Sequence, residues 1–492
     1  MKLFRTQAPI LCLTTLLAGC TGSSPSTTTT TAATTVTATI PNLQPFTDNS
    51  GTLATYATAG VIDETGPFFQ TLGTNGRTCA SCHQASQAMS LQATAVAALF
   101  TSSSGTDPLF DSIDGANCPS IAVGDLAGHS LMVNYGLVRI PITLPTTTQF
   151  TITVLNDPYG CAATLSATGQ QIVSVYRRPL PTSSLLYLSD VMWDTRFTTA
   201  SLGSSSTFSA NLSSDLTSQL LSAVGTHEQG TATPTAAQIA DILALEQGLF
   251  TAQATDNAAG SLSANGAKGG AADLAAVNFY PGINDAFGGD PTGTKFNPNI
   301  FNLYTAWANS ANAQQASIAR GENIFNTAPM KITAVNGINT NNAGLGNPAA
   351  LAGSCGTCHD TPNVGNHSLS LPLDTGVMHV AANETNAQVL AGLAQLTGPS
   401  LPTYQIAGCK DANNNPVTYT TTDPGKALIT GLCSDVNRVK APILRGLAAR
   451  APYFHNGAAT SLAQLVSFYN ARFQMNLNQG QMTDLINFLN AL

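Results

Sequence analysis

Two short stretches decide how this chain is read: Cys79-Ala80-Ser81-Cys82-His83 and Cys355-Gly356-Thr357-Cys358-His359. Each is a CxxCH. Two thiols at this spacing add across the two vinyl groups of a haem, and the adjoining His is aimed at the iron as proximal ligand. A thioredoxin-type CxxC would not recur in the second half of a chain with His after each second Cys. A zinc site needs further Cys or His at close spacing, and neither segment has them. The sequence therefore predicts two covalently bound haem c groups, held by Cys79, Cys82 and His83 and by Cys355, Cys358 and His359.

Such attachment occurs outside the cytoplasmic membrane, and the N-terminus agrees. Lys2 and Arg5 form a basic start, and Pro9–Ala18 is a short apolar run, so residues 1–20 read as a secretory signal. It ends in Leu17-Ala18-Gly19-Cys20, which resembles the lipobox of bacterial lipoproteins. The resemblance implies a lipid on Cys20. Thr21 follows, not Asp, so the expected location is the periplasm, on the outer membrane. Residues 21–50 open with a Ser/Thr-rich run that cannot bury a core and read as a tether. Export implies an oxidising compartment. The remaining Cys of the mature chain are then expected as Cys118–Cys161 and Cys409–Cys433 disulfides, although the sequence also permits the two other pairings.

The 492 residues carry 18 Lys+Arg and 26 Asp+Glu, a formal net charge of −8. Charged residues are only 9%, and the acidic balance argues against a nucleic-acid partner. Hydrophobic residues reach 43%, which excludes disorder over most of the length. No apolar run has the roughly 18 residues of a membrane span. The expected fold is mainly α, with two cytochrome c-like haem domains at 51–310 and 311–492, the first carrying extra β and loop insertions. Strand-like runs lie at Leu137–Leu144, Phe150–Leu155 and Gln171–Tyr176. Helical patterns lie at Thr235–Ala254 and Ala316–Asn326. Residues 255–300 read as connection. Two closing helices place Leu462, Leu465, Val466 and Tyr469 on one face and Met482, Leu485, Ile486 and Leu489 on another. Asn478 and Gln481 suit a capping box for the second.

Three further segments resemble the bacterial diheme cytochrome c peroxidase and MauG-type superfamily. Arg178-Pro179-Leu180-Pro181-Thr182 and Met192-Trp193-Asp194-Thr195-Arg196 are similar to its RxxPT…WDGR stretch, with Thr195 where Gly is usual. Gln219 with His227-Glu228-Gln229-Gly230 is similar to its Q…EMG region, at a spacing one residue shorter. Lys440-Ala441-Pro442-Ile443-Leu444-Arg445-Gly446 and Ala451-Pro452-Tyr453-Phe454-His455-Asn456-Gly457 match its PxLRN…APYFHDG stretch closely.

The resemblance implies a division of labour: peroxide meets the N-terminal haem, and electrons enter at the C-terminal one. It makes Trp193 the aromatic relay between them. Glu228 is the implied acid/base, with His227 as substitute and Gln219 as a hydrogen-bonding neighbour. His129 is the implied distal ligand of the first haem. Tyr469 or Met475 is the implied second ligand of the C-terminal haem. His455 and Arg445 are implied partners of haem propionates. The resemblance also brings in calcium between the domains, on backbone and loop ligands. The activity it implies is peroxide reduction with a small cytochrome c or cupredoxin as donor. Two other readings remain open: an electron-transfer lipoprotein without turnover, and a MauG-like oxidation of a protein or organic substrate.

Overall fold

The computed structural model describes residues 38–199 and 205–492; the signal segment, Cys20 and the tether up to residue 37 lie outside the described residues. The three strand-like runs form Val138–Thr143, Thr151–Asn156 and Gln171–Arg177. More β structure surrounds them. Gly51–Ala57 pairs antiparallel with Leu249–Asp256, and Thr403–Lys410 pairs antiparallel with both Thr151–Asn156 and Pro416–Thr421. The structure is about 30% helical and 18% strand. The mainly α expectation is thereby corrected to a mixed fold built on short antiparallel strands.

One of those strands corrects a helix. The pattern at Thr235–Ala254 is helical only over Ala236–Gly248, which a Thr235/Gln238 capping box opens. Leu249–Asp256 then runs as a strand whose first five residues are all buried. Burial on both faces removes the apolar/polar alternation by which a strand is recognised, so the apolar run reads as more helix. The helix Ala313–Thr327 and the two closing helices Leu462–Arg472 and Gln479–Asn490 form with the faces the pattern gives them, and Asn478 and Gln481 make the capping box.

Thr39–Leu492 forms one unit with three main cores. In one, Cys79 packs with Phe68, Met89, Leu216 and Ile242. In another, Cys355 and Cys358 pack with Phe325, Leu485 and Leu489. This second core also takes in Phe301, Tyr304 and Trp307 from before residue 310. The third joins strands from both halves of the chain, with Ile152, Val173 and Val175 against Tyr404 and Ile406. Cys118 is bonded to Cys161 and Cys409 to Cys433, so each link stays within one half.

The helix Ala313–Thr327 lies so close to Gln479–Asn490 that a Cβ on Gly321 would run into the Asp484 carbonyl. Gly321→Ala, a favourable change in a free helix, is expected here to cost about 1–3 kcal/mol through overpacking. The midpoint of denaturant unfolding measures it.

Candidate haem sites and the bridge between them

Both CxxCH segments begin as one 3₁₀ turn, Cys79–Ser81 and Cys355–Thr357. A hydroxyl-bearing pair closes each turn as a capping box, Thr78 with Ser81 and Ser354 with Thr357. All four thiols are free. The His83 Nδ1–H donates to the Met89 carbonyl at 3.1 Å, and the His359 Nδ1–H donates to the Gly365 carbonyl at 2.5 Å. A carbonyl only accepts, so the proton sits on Nδ1 and the lone pair on Nε2, the atom that ligates iron. Burial pushes both imidazole pKa values down to about 4, which keeps the rings neutral. Paired free thiols beside a neutral imidazole of fixed tautomer suit covalent haem at each site.

A mostly apolar cavity opens at the second site. Cys355, Cys358 and His359 line it with Phe325, Val466, Leu485 and Leu489. Tyr469 and Met475 both line it too. Tyr469 stacks on Phe473 with ring centroids 5.9 Å apart, and its hydroxyl makes no hydrogen bond among the described residues. Burial, then the Cys358 and Cys355 thiols, push that hydroxyl's pKa up. Tyr469→Phe is expected to alter the charge-transfer bands and electron paramagnetic resonance of the oxidised C-terminal haem. Met475→Leu is expected to leave them unchanged.

The same cavity reaches Pro179, Trp193 and His455. The Trp193 indole N–H donates to the Arg178 carbonyl at 2.8 Å, and its ring meets His455 edge-on at 6.0 Å. His455 is buried and held neutral, its pKa pushed by burial down to about 4. Its Nε2 lies 3.5 Å from Asp423. Asp423 in turn receives both Nε–H and Nη2–H of Arg177, at 2.7 and 2.9 Å. Arg177 also bonds Asp194, which accepts from Arg196 at 3.0 Å. One buried charge cluster thus ties the segment around Trp193 to the segments holding Asp423 and His455. Arg445 does not belong to this region: its guanidinium donates to the backbone carbonyls of Leu492, Asn363 and Gly269. These carbonyls take three of its five N–H groups.

Burial alone would raise the Asp423 pKa, but the Arg177 guanidinium outweighs it and holds the carboxyl below its usual range. The stability this supplies is full above an ordinary carboxylate pKa of about 4 and is lost as pH falls through the lower folded value. Asp423→Asn is expected to cost about 3–5 kcal/mol at neutral pH and to blunt the acid-side loss of stability in a melting series against pH.

At the first site the structure sorts the four remaining candidates. Glu228 is buried against the attachment turn. Its carboxylate accepts from the Leu72 amide at 2.9 Å and lies 3.7 Å from the Cys79 sulfur. Gly73 is required there, since a Cβ would strike the Glu228 carbonyl. Burial raises the Glu228 pKa. His227 and Gln219 instead line a separate cavity with Asp114, Arg139, Met192 and Arg196. His227 Nδ1 bonds the Asp114 carboxylate, which also pairs with buried Arg77. Burial opposes ionisation of Asp114, but His227 and then Arg77 more than offset it and hold its pKa low. His227 is near enough to His83 to disfavour protonation of that ring. His129 is corrected as an iron ligand: both of its ring nitrogens face backbone carbonyls, of Asp125 at 2.7 Å and Phe110 at 2.9 Å.

Sequence reasoning missed Arg77, Asp114 and Asp423, which stand alone in the sequence with no motif around them. It also missed Glu246, a buried carboxyl whose pKa burial pushes up to about 8 and whose charge reaches Cys79. The hydrophobic run around Glu246 was the one available signal.

No protein-family model matches the chain. The cytochrome-c peroxidase IdrP2 of Denitromonas iodatirespirans is 34% identical over 118 residues, 24% of this chain and 28% of that protein. The cytochrome c551 peroxidase of Nitrosomonas europaea is 31% identical over 106 residues, 18% of this chain and 31% of that protein. The matches thus span under a third of either relative's length. A solved MauG-like protein associated with microbial copper homeostasis aligns over 68% of this chain and 79% of its own, at 12% identity and a TM-score of 0.27. The attachment segments and the two relatives together point to a c-type cytochrome. Over those stretches the chain is similar to cytochrome c peroxidases.

Proposed function

We propose that this chain is an exported diheme oxidoreductase that reduces hydrogen peroxide to water, with electrons supplied by a small cytochrome c or cupredoxin. The observation that carries this reading is the cavity lined by His227 and Gln219, where His227 is backed by Asp114 and Arg77 and is near enough to His83 to act on that ring. Haem held by Cys79, Cys82 and His83 and by Cys355, Cys358 and His359 would supply the electron transfer and an iron atom for peroxide to meet.

The chain's own residues then have distinct tasks. His227 Nε2 makes no hydrogen bond among the described residues, and its side chain is 37% exposed. It takes a proton from the near oxygen of peroxide and returns it to the departing one. Asp114 fixes the ring's orientation and stabilises its transient positive charge, and Arg77 holds Asp114 in place. Gln219 orients the substrate from the same cavity wall. Two electrons and two protons convert one peroxide to two waters; the proton His227 moves is peroxide's own, so both added protons come from solvent. Trp193, which lines the second-site cavity and is held by Arg178 and His455, serves in this reading as the path for charge between the sites. Glu228 supports the Cys79 attachment turn and leaves the proton transfers to His227. An anchor at Cys20 would hold the enzyme at the periplasmic face of the outer membrane. No helix among the described residues is long and apolar enough to cross a membrane. A MauG-like oxidation of a larger substrate is the second reading, favoured by Tyr469 in the C-terminal cavity.

Stopped-flow absorption of the half-reduced holoprotein mixed with one equivalent of peroxide tests the proposal. Rapid oxidation is expected, slowed about 100-fold or more by His227→Gln and far less by Glu228→Gln. No reaction in any redox state would leave an electron-transfer cytochrome and remove these roles.

A further inference from the structure

Away from both cavities, Asp285, Asp360 and His367 converge in the interior. Their exposures are 2%, 0% and 3%. One ligand atom from each lies within 4.8 Å of the others. His367 Nε2 is 3.4 Å from an Asp360 oxygen and 4.0 Å from an Asp285 oxygen. Asp285 Oδ1 and His367 Nε2 are buried without a hydrogen-bond partner among the described residues.

The surroundings fix these groups from behind. The other Asp285 oxygen accepts from the Phe287 and Gly289 amides at 3.0 and 2.7 Å. Asp360 accepts from the Ser368 amide at 2.7 Å and from the Ala286 amide at 3.3 Å. The His367 ring stacks on Phe287, 6.0 Å between centroids and 15° between planes. Backbone donors thus orient both carboxylates toward the imidazole, an outer-shell arrangement that metal ligands require.

Charge makes the same point. No Lys or Arg forms an ion pair with Asp285 or Asp360 among the described residues. The Leu369 amide donates to His367 Nδ1 at 3.3 Å. Two buried carboxylates therefore share this pocket with no Lys or Arg beside them, an arrangement that a bound cation stabilises.

We infer that Asp285, Asp360 and His367 bind a divalent transition-metal ion such as Zn²⁺ or Mn²⁺. One imidazole nitrogen with two carboxylate oxygens suits these ions, whereas Ca²⁺ prefers an all-oxygen set. These side chains are also distinct from the backbone and loop ligands that the family resemblance implies for calcium.

The test uses the haem-loaded protein, stripped with a chelator and offered Zn²⁺, Mn²⁺ or Ca²⁺ separately. Metal is counted by mass spectrometry after gel filtration, and Zn²⁺ affinity is measured by calorimetry. One retained equivalent of Zn²⁺ or Mn²⁺ beyond haem iron is expected. Asp285→Asn and His367→Gln should each weaken Zn²⁺ binding at least tenfold, with haem absorption unchanged. If neither variant folds, wild-type stoichiometry and ion preference decide. No retained ion, preference for Ca²⁺, or equal retention by folded variants would overturn the site.

Discussion

The buried pairing of Arg177 with Asp423 and Asp194 is the constraint on which the rest of the arrangement depends. A guanidinium in the interior is tolerable only when its donors are met by charge in fixed geometry. Arg177 and Asp194 come from the first half of the chain, and Asp423 from the second. Satisfying one side chain therefore holds the segment carrying Trp193 against the segments carrying Asp423 and His455. In a chain only 9% charged, such interior ions are conspicuous. Few charges remain for the surface, so much of the solubility rests on Ser, Thr, Asn and Gln.

The two attachment turns show how little local sequence is needed to prepare a ligand. A hydroxyl before the first Cys and another before the second close the turn, and a carbonyl a few residues later selects the imidazole tautomer. The repeated device gives two similar proximal sides. The nearby chambers differ: an apolar one with a tyrosine lines the second site, and a separate one with a histidine–aspartate pair lies in the first half of the chain. Different chemistry at equivalent irons follows from such outer surroundings rather than from the attachment itself.

Much of this was legible in the sequence, for identifiable reasons. CxxCH is a covalent requirement at fixed spacing, and the closing helices declare themselves by an apolar stripe. The strands at 138, 151 and 171 were marked by β-branched residues between turns. The strand Leu249–Asp256 was not, because burial on both faces erased its alternation. His129 looks functional as an isolated residue, yet both its ring nitrogens face backbone carbonyls that no motif announces. Asp114 was invisible for the opposite reason: its role arises only when the fold sets it between Arg77 and His227, far away in sequence.

The strand Thr151–Asn156 finds its partner only at Thr403–Lys410. A chain synthesised from its N-terminus presents Cys79 and Cys82 long before that partner is made. Contacts of such sequence separation close slowly. The first attachment segment thus waits in an open, incomplete chain, accessible to whatever machinery delivers the cofactor. The late-arriving strand then acts as a latch, sealing the first half only after its thiols have had time to react.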